Sequence, residues 1–252
     1  MALRKAVDNV IEQLNSEEPK VVEKGIQDLE QLLRSLAPAI QKLHSSGSTD
    51  LKLIAFLALQ ENFQHNLANE LLAAYRTLRH ENTNTSTWNQ LNTAMMGLLL
   101  IHPESRNIFR KKANMLLILS FLEPENTAYS LERCASFVSL LIHILLRNLK
   151  NMRVFEACGG CMAIIRLLQL SPEDENVAGE LANIQQTLHF KVVEFLIFYM
   201  TDESELKDGK APMRTVAEKA GYIKPQFPAI EDLIENLNDL STQKSRGTTL
   251  SS

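Results

Sequence analysis

The sequence predicts an all-α fold of the armadillo or HEAT kind, in which helical units stack into a solenoid (an α-α superhelix). Apolar residues recur at the i, i+3, i+4 and i+7 spacing of amphipathic helices through most of the chain, and no stretch alternates as a strand would. A similar apolar pattern also returns at a period of 46 residues, opening at Phe63, Phe109 and Phe155. Armadillo and HEAT units have periods of about 40 to 47 residues, so both observations favour the same fold.

The positions that follow each phenylalanine are similar and mostly apolar, and the first unit, in which one position is an arginine, matches least well. They are Leu72, Ala73, Tyr75 and Arg76 after Phe63, Ile118, Leu119, Phe121 and Leu122 after Phe109, and Ile164, Ile165, Leu167 and Leu168 after Phe155.

Capping residues predict where several helices begin, because their side chains can accept the free N–H groups of a first turn. These starts are Ser16 followed by Pro19, Asp50, Thr85 or Ser86, and Ser105. We expect the third helices of successive units at residues 88–101, 128–149 and 188–200, with a lengthened connection at residues 171–182.

The C-terminal part is more polar from residue 202 to 228 and then resumes a helical pattern to about Leu240. We expect this last helix to cap the core. Residues 241–252 contain one leucine and no aromatic residue, which predicts a disordered tail that can accept phosphate. The predicted organisation is one helical domain over residues 1–240 and a tail over residues 241–252.

A pair of glycines, Gly159 and Gly160, lies between two helical segments of the third unit. Glycine permits a positive φ and a close helix approach, so we predict a structural turn here. Cys158 and Cys161 form a C-x-x-C around this turn, but neither a βαβ context nor a second such pair accompanies them. We therefore interpret both as packed thiols.

Composition excludes several function classes. Lys plus Arg number 26 against 30 Asp plus Glu, a net charge of -4 that gives no global attraction for nucleic acid. The N-terminal residues resemble no export signal, and the longest apolar stretch, residues 134–146, is shorter than the ~20 residues that span a bilayer. Three cysteines suit a reducing compartment, so the expected location is cytoplasmic, with the nucleus as an alternative.

No catalytic arrangement is evident in the sequence. The six histidines are scattered, and neither phosphate-binding glycine motif is present. A cysteine phosphatase needs Arg six residues after its Cys, where Cys158 has Ile164 and Cys161 has Leu167. We expect no enzyme activity, no metal and no cofactor.

Candidate partner-binding residues form two basic clusters and one aromatic segment. If the units stack, both clusters lie on one edge that could receive an acidic partner, although a run of three basic residues is usually a solvated face. His143 interrupts an apolar run and is either a hydrogen-bonded interior residue or a groove residue. Phe198 and Tyr199 are interface anchors or core. The basic candidates are Arg106, Arg110, Lys111, Lys112, Arg147, Lys150 and Arg153.

Three segments together resemble one known family. They run from Arg153 to Leu168, from Lys191 to Glu203, with its E-F-L-x-F-Y run, and from Arg214 to Lys219. They are similar to the fungal cell-division-control protein of the septation initiation network, which is distinct from the phosphatase of similar name. The resemblance implies a non-catalytic partner of a germinal-centre-type protein kinase and of other septation network proteins. It also implies a role in septum formation and cytokinesis, with recruitment to the spindle pole body.

Two functional hypotheses remain at this point. In the first, the chain is a binding subunit of such a kinase. In the second, it is a general adaptor that holds extended peptides in a concave groove through residues such as Asn89, Asn92, His143 and Arg147.

Overall fold

A computed structural model describes residues 2–48, 50–79, 83–123, 127–169, 180–204, 211–228, 230 and 232. Within these residues all regular structure is helical, which confirms the predicted all-α class. The α-helices are α1 (Ala2–Leu14), α2 (Pro19–Arg34), α3 (Ala37–Ser46), α4 (Leu51–Gln60), α5 (Leu67–Leu78), α6 (Thr85–Ile101), α7 (Lys112–Leu119), α8 (Ala128–Leu145), α9 (Leu149–Ala157), α10 (Gly160–Leu168), α11 (Glu180–Tyr199) and α12 (Val216–Ile223). Short 3₁₀ helices span Phe63–His65, Pro103–Arg110 and Ser120–Leu122.

The four longest α-helices, α2, α6, α8 and α11, form a row. Helix α2 contacts α6, α6 contacts α8, and α8 contacts α11. The shorter helices lie behind this row, where α5 contacts α7, α7 contacts α9, and α9 also contacts the 3₁₀ helix Pro103–Arg110. Both the row and the shorter helices behind it therefore follow the order of the sequence, and neighbouring helices within each contact one another.

The helix starts follow capping chemistry, with three corrections to the prediction. The Asp50 carboxylate accepts the Lys52 N–H as predicted. The cap of α6 is Asn84, one residue before the predicted Thr85. Ser105 does not begin a helix, because it lies inside a 3₁₀ helix and its hydroxyl pairs with the buried Asn66 and His102.

The Ser16 prediction also differs in detail. Helix α2 begins at Pro19 as expected, but no side chain caps it. The Ser16 hydroxyl instead accepts the Glu18 N–H, 3.1 Å away, in the turn before the helix.

The predicted third helices correspond to α6, α8 and α11, with different ends. Helix α8 stops at Leu145 rather than residue 149, because Arg147 takes a left-handed backbone conformation and Asn148 caps α9. Helix α11 begins at Glu180, inside the predicted 171–182 connection; residues 170–179 lie outside the described residues. The predicted helix to Leu240 and the 241–252 tail also lie outside them, apart from the buried Ile230 and the exposed Asp232.

The 46-residue pattern holds in the core but fails at its first phenylalanine. Phe109 and Phe155 are fully buried, whereas Phe63 is 69% exposed. Phe63 opens a three-residue 3₁₀ turn at the surface rather than a helix packed on a preceding unit. The downstream positions keep the register, because all six of the following are buried: Leu72, Ile118 and Ile164, and Tyr75, Phe121 and Leu167.

Aromatic rings fill the space between the row and the helices behind it. The ring centroids of Phe121 and Phe137 are 4.4 Å apart in a stacked arrangement, and that of Trp88 lies 4.9 Å from Phe121. Tyr75 completes this group. Each such pair contributes about 0.5–1.5 kcal/mol beyond its buried area.

The paired glycines form the predicted structural turn. Gly159 has a φ of 77°, in the left-handed region that a side chain disfavours. Gly160 packs so closely on the Phe155 ring that a Cβ atom would overlap it. The two glycines therefore let α10 fold back against α9.

We predict that Gly160→Ala lowers the free energy of unfolding by about 1–3 kcal/mol, because the added methyl group must displace the buried Phe155 ring. Urea denaturation measures the change. Gly221→Ala is the matched control, since its Cβ meets nothing within 4 Å and lies in α12. Equal losses in the two variants would contradict the packing argument.

Candidate partner-binding surfaces

Five cations form what we call the cationic edge: Arg110, Lys111, Lys112, Arg147 and Lys150. The first four are exposed and Lys150 is half-buried. Across the part of the chain that the structure describes, none of the five has a carboxylate within 4.0 Å. Within the described residues, these five positive charges therefore have no internal carboxylate partner.

Buried amide contacts bring the two halves of this edge together. The Asn148 amide donates to the Asn107 side-chain oxygen across 3.3 Å, and the Asn151 amide donates to the Arg106 carbonyl across 2.8 Å. A 3₁₀ helix repeats every three residues, so Asn107 and Arg110 share one face of Pro103–Arg110. Arg110 consequently lies on the same side of that helix as Asn107, whose side chain contacts Asn148. Asn148 directly follows Arg147 in the chain.

Arg147 has a positive φ of 52°, the one such value among the described non-glycine residues. This conformation costs a non-glycine residue about 1–3 kcal/mol. Hydrogen bonds on either side hold it, from the Leu146 N–H to the Ile142 carbonyl and from the Asn148 N–H to the Leu145 carbonyl. The turn ends α8 abruptly and leaves the Arg147 side chain exposed.

Lys112 extends the edge toward the turn after α9. Burial raises the pKa of the Cys158 thiol, and the nearby Lys112 ammonium partly offsets that rise. The edge thus runs from the junction of α8 and α9 to the far end of α9.

Arg106 does not belong to the exposed edge, which corrects its prediction as a contact residue. Its side chain is buried, and its Nε donates to the His143 carbonyl across 3.0 Å. Desolvation by burial lowers the pKa of this guanidinium. Arg106 therefore joins α8 to its own 3₁₀ helix, Pro103–Arg110, and is not available to a partner.

The sequence predicts that His143 is either a hydrogen-bonded interior residue or a groove residue, and the structure shows the hydrogen bond. Its ring is half-buried, and Nδ1 lies 2.9 Å from the Ser139 carbonyl oxygen one turn earlier in α8. It does not line the groove described below.

Arg153 and Tyr199 are also interior residues, because both bind buried carboxylates. Arg153 Nη2 lies 2.5 Å from Glu203 and 3.2 Å from Glu156. The Tyr199 hydroxyl donates to Glu156 across 2.8 Å. Phe198 is half-buried with its ring 6.2 Å from that of Phe195. Arg153 and Tyr199 therefore support the fold, whereas Phe198 stays a contact candidate.

The same two carboxylates bind two further cations, which the sequence analysis named only within a segment that carries the family resemblance. Arg214 Nε donates to Glu156 across 2.8 Å, and the fully buried Lys219 ammonium lies 3.0 Å from Glu203. Lys219 also donates to the carbonyls of Tyr199 and Thr201. Burial lowers the pKa of Lys219. The carboxylates thus tie the 214–219 segment to α9 and α11.

A groove of about 380 Å³ runs between α6, α8 and α11. Asn89 lines it as predicted, whereas Asn92 is buried beneath the row and bonds Tyr75 and Ser136. The central helix presents small side chains, which opens the groove. Its lining consists of Asn89, Met96, Glu132, Ala135, Ser136, Ser139, Ile184, Thr187 and Lys191.

The cysteines are packed thiols. Burial raises the pKa of Cys134 and of Cys161 to about 11, so both remain protonated at neutral pH. No group of His, Cys, Asp or Glu within the described residues could hold a metal ion. In the same residues, no helix has both the length and the apolar character that crossing a bilayer requires.

Comparison with known proteins gives two matches of the same description. The family model described as Cell division control protein 14, SIN component, matches residues 5–212. The Cell division control protein 14 of Schizosaccharomyces pombe is 23% identical over 243 residues, which cover 92% of this chain and 93% of the relative. No solved structure matches the chain at a significant level.

We predict that Glu203→Gln lowers the free energy of unfolding by about 3–5 kcal/mol, because it leaves Arg153 and Lys219 short of a buried counter-charge. Thermal and urea unfolding measure the loss. The exposed Glu17→Gln is the matched control and should change stability by less than about 0.5 kcal/mol. Wild-type stability in the Glu203 variant would show that the network is dispensable.

Proposed function

The chain belongs to the family of Cell division control protein 14, SIN component, and we propose that it is a non-catalytic binding subunit of a germinal-centre-type protein kinase in the septation initiation network. In this role it supports septum formation and cytokinesis by holding the kinase together with other septation network proteins. Family membership carries the proposal, because the match covers residues 5–212 and the fission-yeast relative aligns almost end to end. The family match supports a role in septation initiation.

The helical arrangement supports a binding role. We propose that the successive packing of α2, α6, α8 and α11 is an armadillo-like solenoid within one domain of residues 1–240. Such a stack presents long continuous surfaces, which suits the simultaneous binding of extended partners.

The absence of catalysis is also part of the proposal. Cys134 and Cys161 keep their protons at neutral pH, so neither supplies the thiolate that a cysteine phosphatase requires. The six-residue spacing from Cys to Arg is missing as well.

The cationic edge is the proposed kinase contact. Its five cations have no internal ion pair among the described residues, whereas the buried Arg106 and the half-buried Arg153 bind groups within the fold. An electrostatic contact of this kind raises the association rate and selects for an acidic partner surface. We further propose that the chain is cytoplasmic and reaches the spindle pole body through its bound partners.

We predict that the tagged chain, purified from dividing cells of its source, retains one germinal-centre-type kinase at fixed stoichiometry through size-exclusion chromatography. Mass spectrometry of the retained complex identifies the kinase. Recovery of many unrelated proteins and no kinase would sink the kinase-subunit proposal.

A second candidate function is supported by the groove between α6, α8 and α11. Asn89 and Thr187 offer polar groups to a peptide backbone, and Met96, Ala135 and Ile184 offer an apolar floor to its side chains. These features suit a general adaptor for extended peptides.

If the adaptor function holds, Ala135→Trp should abolish binding to an array of short unstructured peptides, because the indole would fill the groove. Ala55→Trp is the matched control, since Ala55 is exposed on α4. An array that binds both variants alike, or binds nothing, would argue against the adaptor.

A further inference from the structure

The cationic edge is an unusual concentration of charge for this protein. The chain as a whole has a net charge of -4, yet five of its 26 lysines and arginines lie along this one edge. Glu104 is the exposed acidic residue of the 3₁₀ helix that ends in Arg110. It lies on the same three-residue repeat as Arg110 and near the buried Arg106. Because opposite charges attract, this cluster of cations favours an anion over a neutral ligand.

Two of the five cations are arginines placed on the two halves of the edge. Arg110 ends the 3₁₀ helix Pro103–Arg110, and Arg147 projects from the left-handed turn before α9. A guanidinium presents a planar fork of N–H donors that matches two oxygens of one phosphate, which a lysine cannot do. Lys111, Lys112 and Lys150 add charge around these two forks.

We propose that the cationic edge binds a phosphorylated serine or threonine segment of the partner kinase, with Arg110 and Arg147 as the principal phosphate ligands. The inference rests on the proposed function, because a protein kinase is the class of partner whose own activity produces this anion. A phosphate carries nearly two negative charges and three acceptor oxygens, so it uses several cations where a single carboxylate uses one or two. The net charge of -4 disfavours a long polyanion such as nucleic acid, which would meet repulsion beyond the edge.

The test compares the kinase before and after treatment with a broad-specificity protein phosphatase. Each form is immobilised, and binding of the full chain is measured by biolayer interferometry at physiological salt. Dephosphorylation should weaken wild-type binding about tenfold or more, the factor expected for loss of charge-assisted hydrogen bonds.

Variants of the edge assign the effect to the two arginines. Arg110→Ala with Arg147→Gly should bind the untreated kinase as weakly as wild type binds the dephosphorylated one, and should lose sensitivity to phosphatase. Glycine accepts the φ of 52° at position 147, so this variant removes the charge while the turn remains favourable. Arg110→Lys with Arg147→Lys should retain part of the binding, since charge remains but the forks are lost.

Charge-reversed controls distinguish a local site from the net charge. Lys5→Glu with Lys42→Glu changes two exposed cations on α1 and α3 and should bind as wild type does. Equal loss in this control would overturn the proposal in favour of a general charge effect.

Two other outcomes have distinct meanings. Unchanged binding of wild type after dephosphorylation overturns the phosphate inference and leaves the kinase-subunit proposal standing. Absence of binding to either form of the kinase overturns the proposed function itself. An edge variant that keeps kinase binding but loses binding to an oligonucleotide or to anionic phosphatidylserine vesicles would reassign the edge to that partner.

Discussion

Buried side-chain amides hold successive parts of this protein together, and the rest of the arrangement depends on them. Short connections between helices leave backbone carbonyls without intrahelical partners, and burying such groups unpaired costs about 1–3 kcal/mol each. Asn66 donates to the Gln60 carbonyl and the Ser105 hydroxyl, and Asn151 donates to the carbonyls of Arg106 and Ile144. Each asparagine therefore satisfies its own turn and a neighbouring segment at once.

The position of the cationic edge follows from this constraint. Asn151 ties α9 to the 3₁₀ helix that carries Arg110, and Asn148 caps α9 immediately after the strained Arg147. The exposed cations are thus carried by backbone that interior hydrogen bonds hold in place. A rigid support of this kind reduces the entropy that side chains lose when a partner binds.

The segments that carry the family resemblance have mainly an interior role. Glu156 and Glu203 gather Arg153, Arg214 and Lys219, and Tyr199 donates to the same group. A buried ionic group of this kind contributes little net stability relative to apolar packing, but removing one member is costly. The network therefore specifies where the 214–219 segment docks.

The sequence by itself determined the helical class, the glycine turn and most helix positions, because these depend on local spacing and local residue chemistry. It also predicted that the basic clusters around Arg110 and Arg147 share one edge if the helical units stack. Only the tertiary structure decided that Arg106, Arg153 and Tyr199 are interior and that Phe63 is exposed. Periodicity indicates which face of a helix is apolar, but whether a charged or aromatic side chain meets water or a buried partner depends on segments up to about fifty residues away, as Arg153 and Glu203 are.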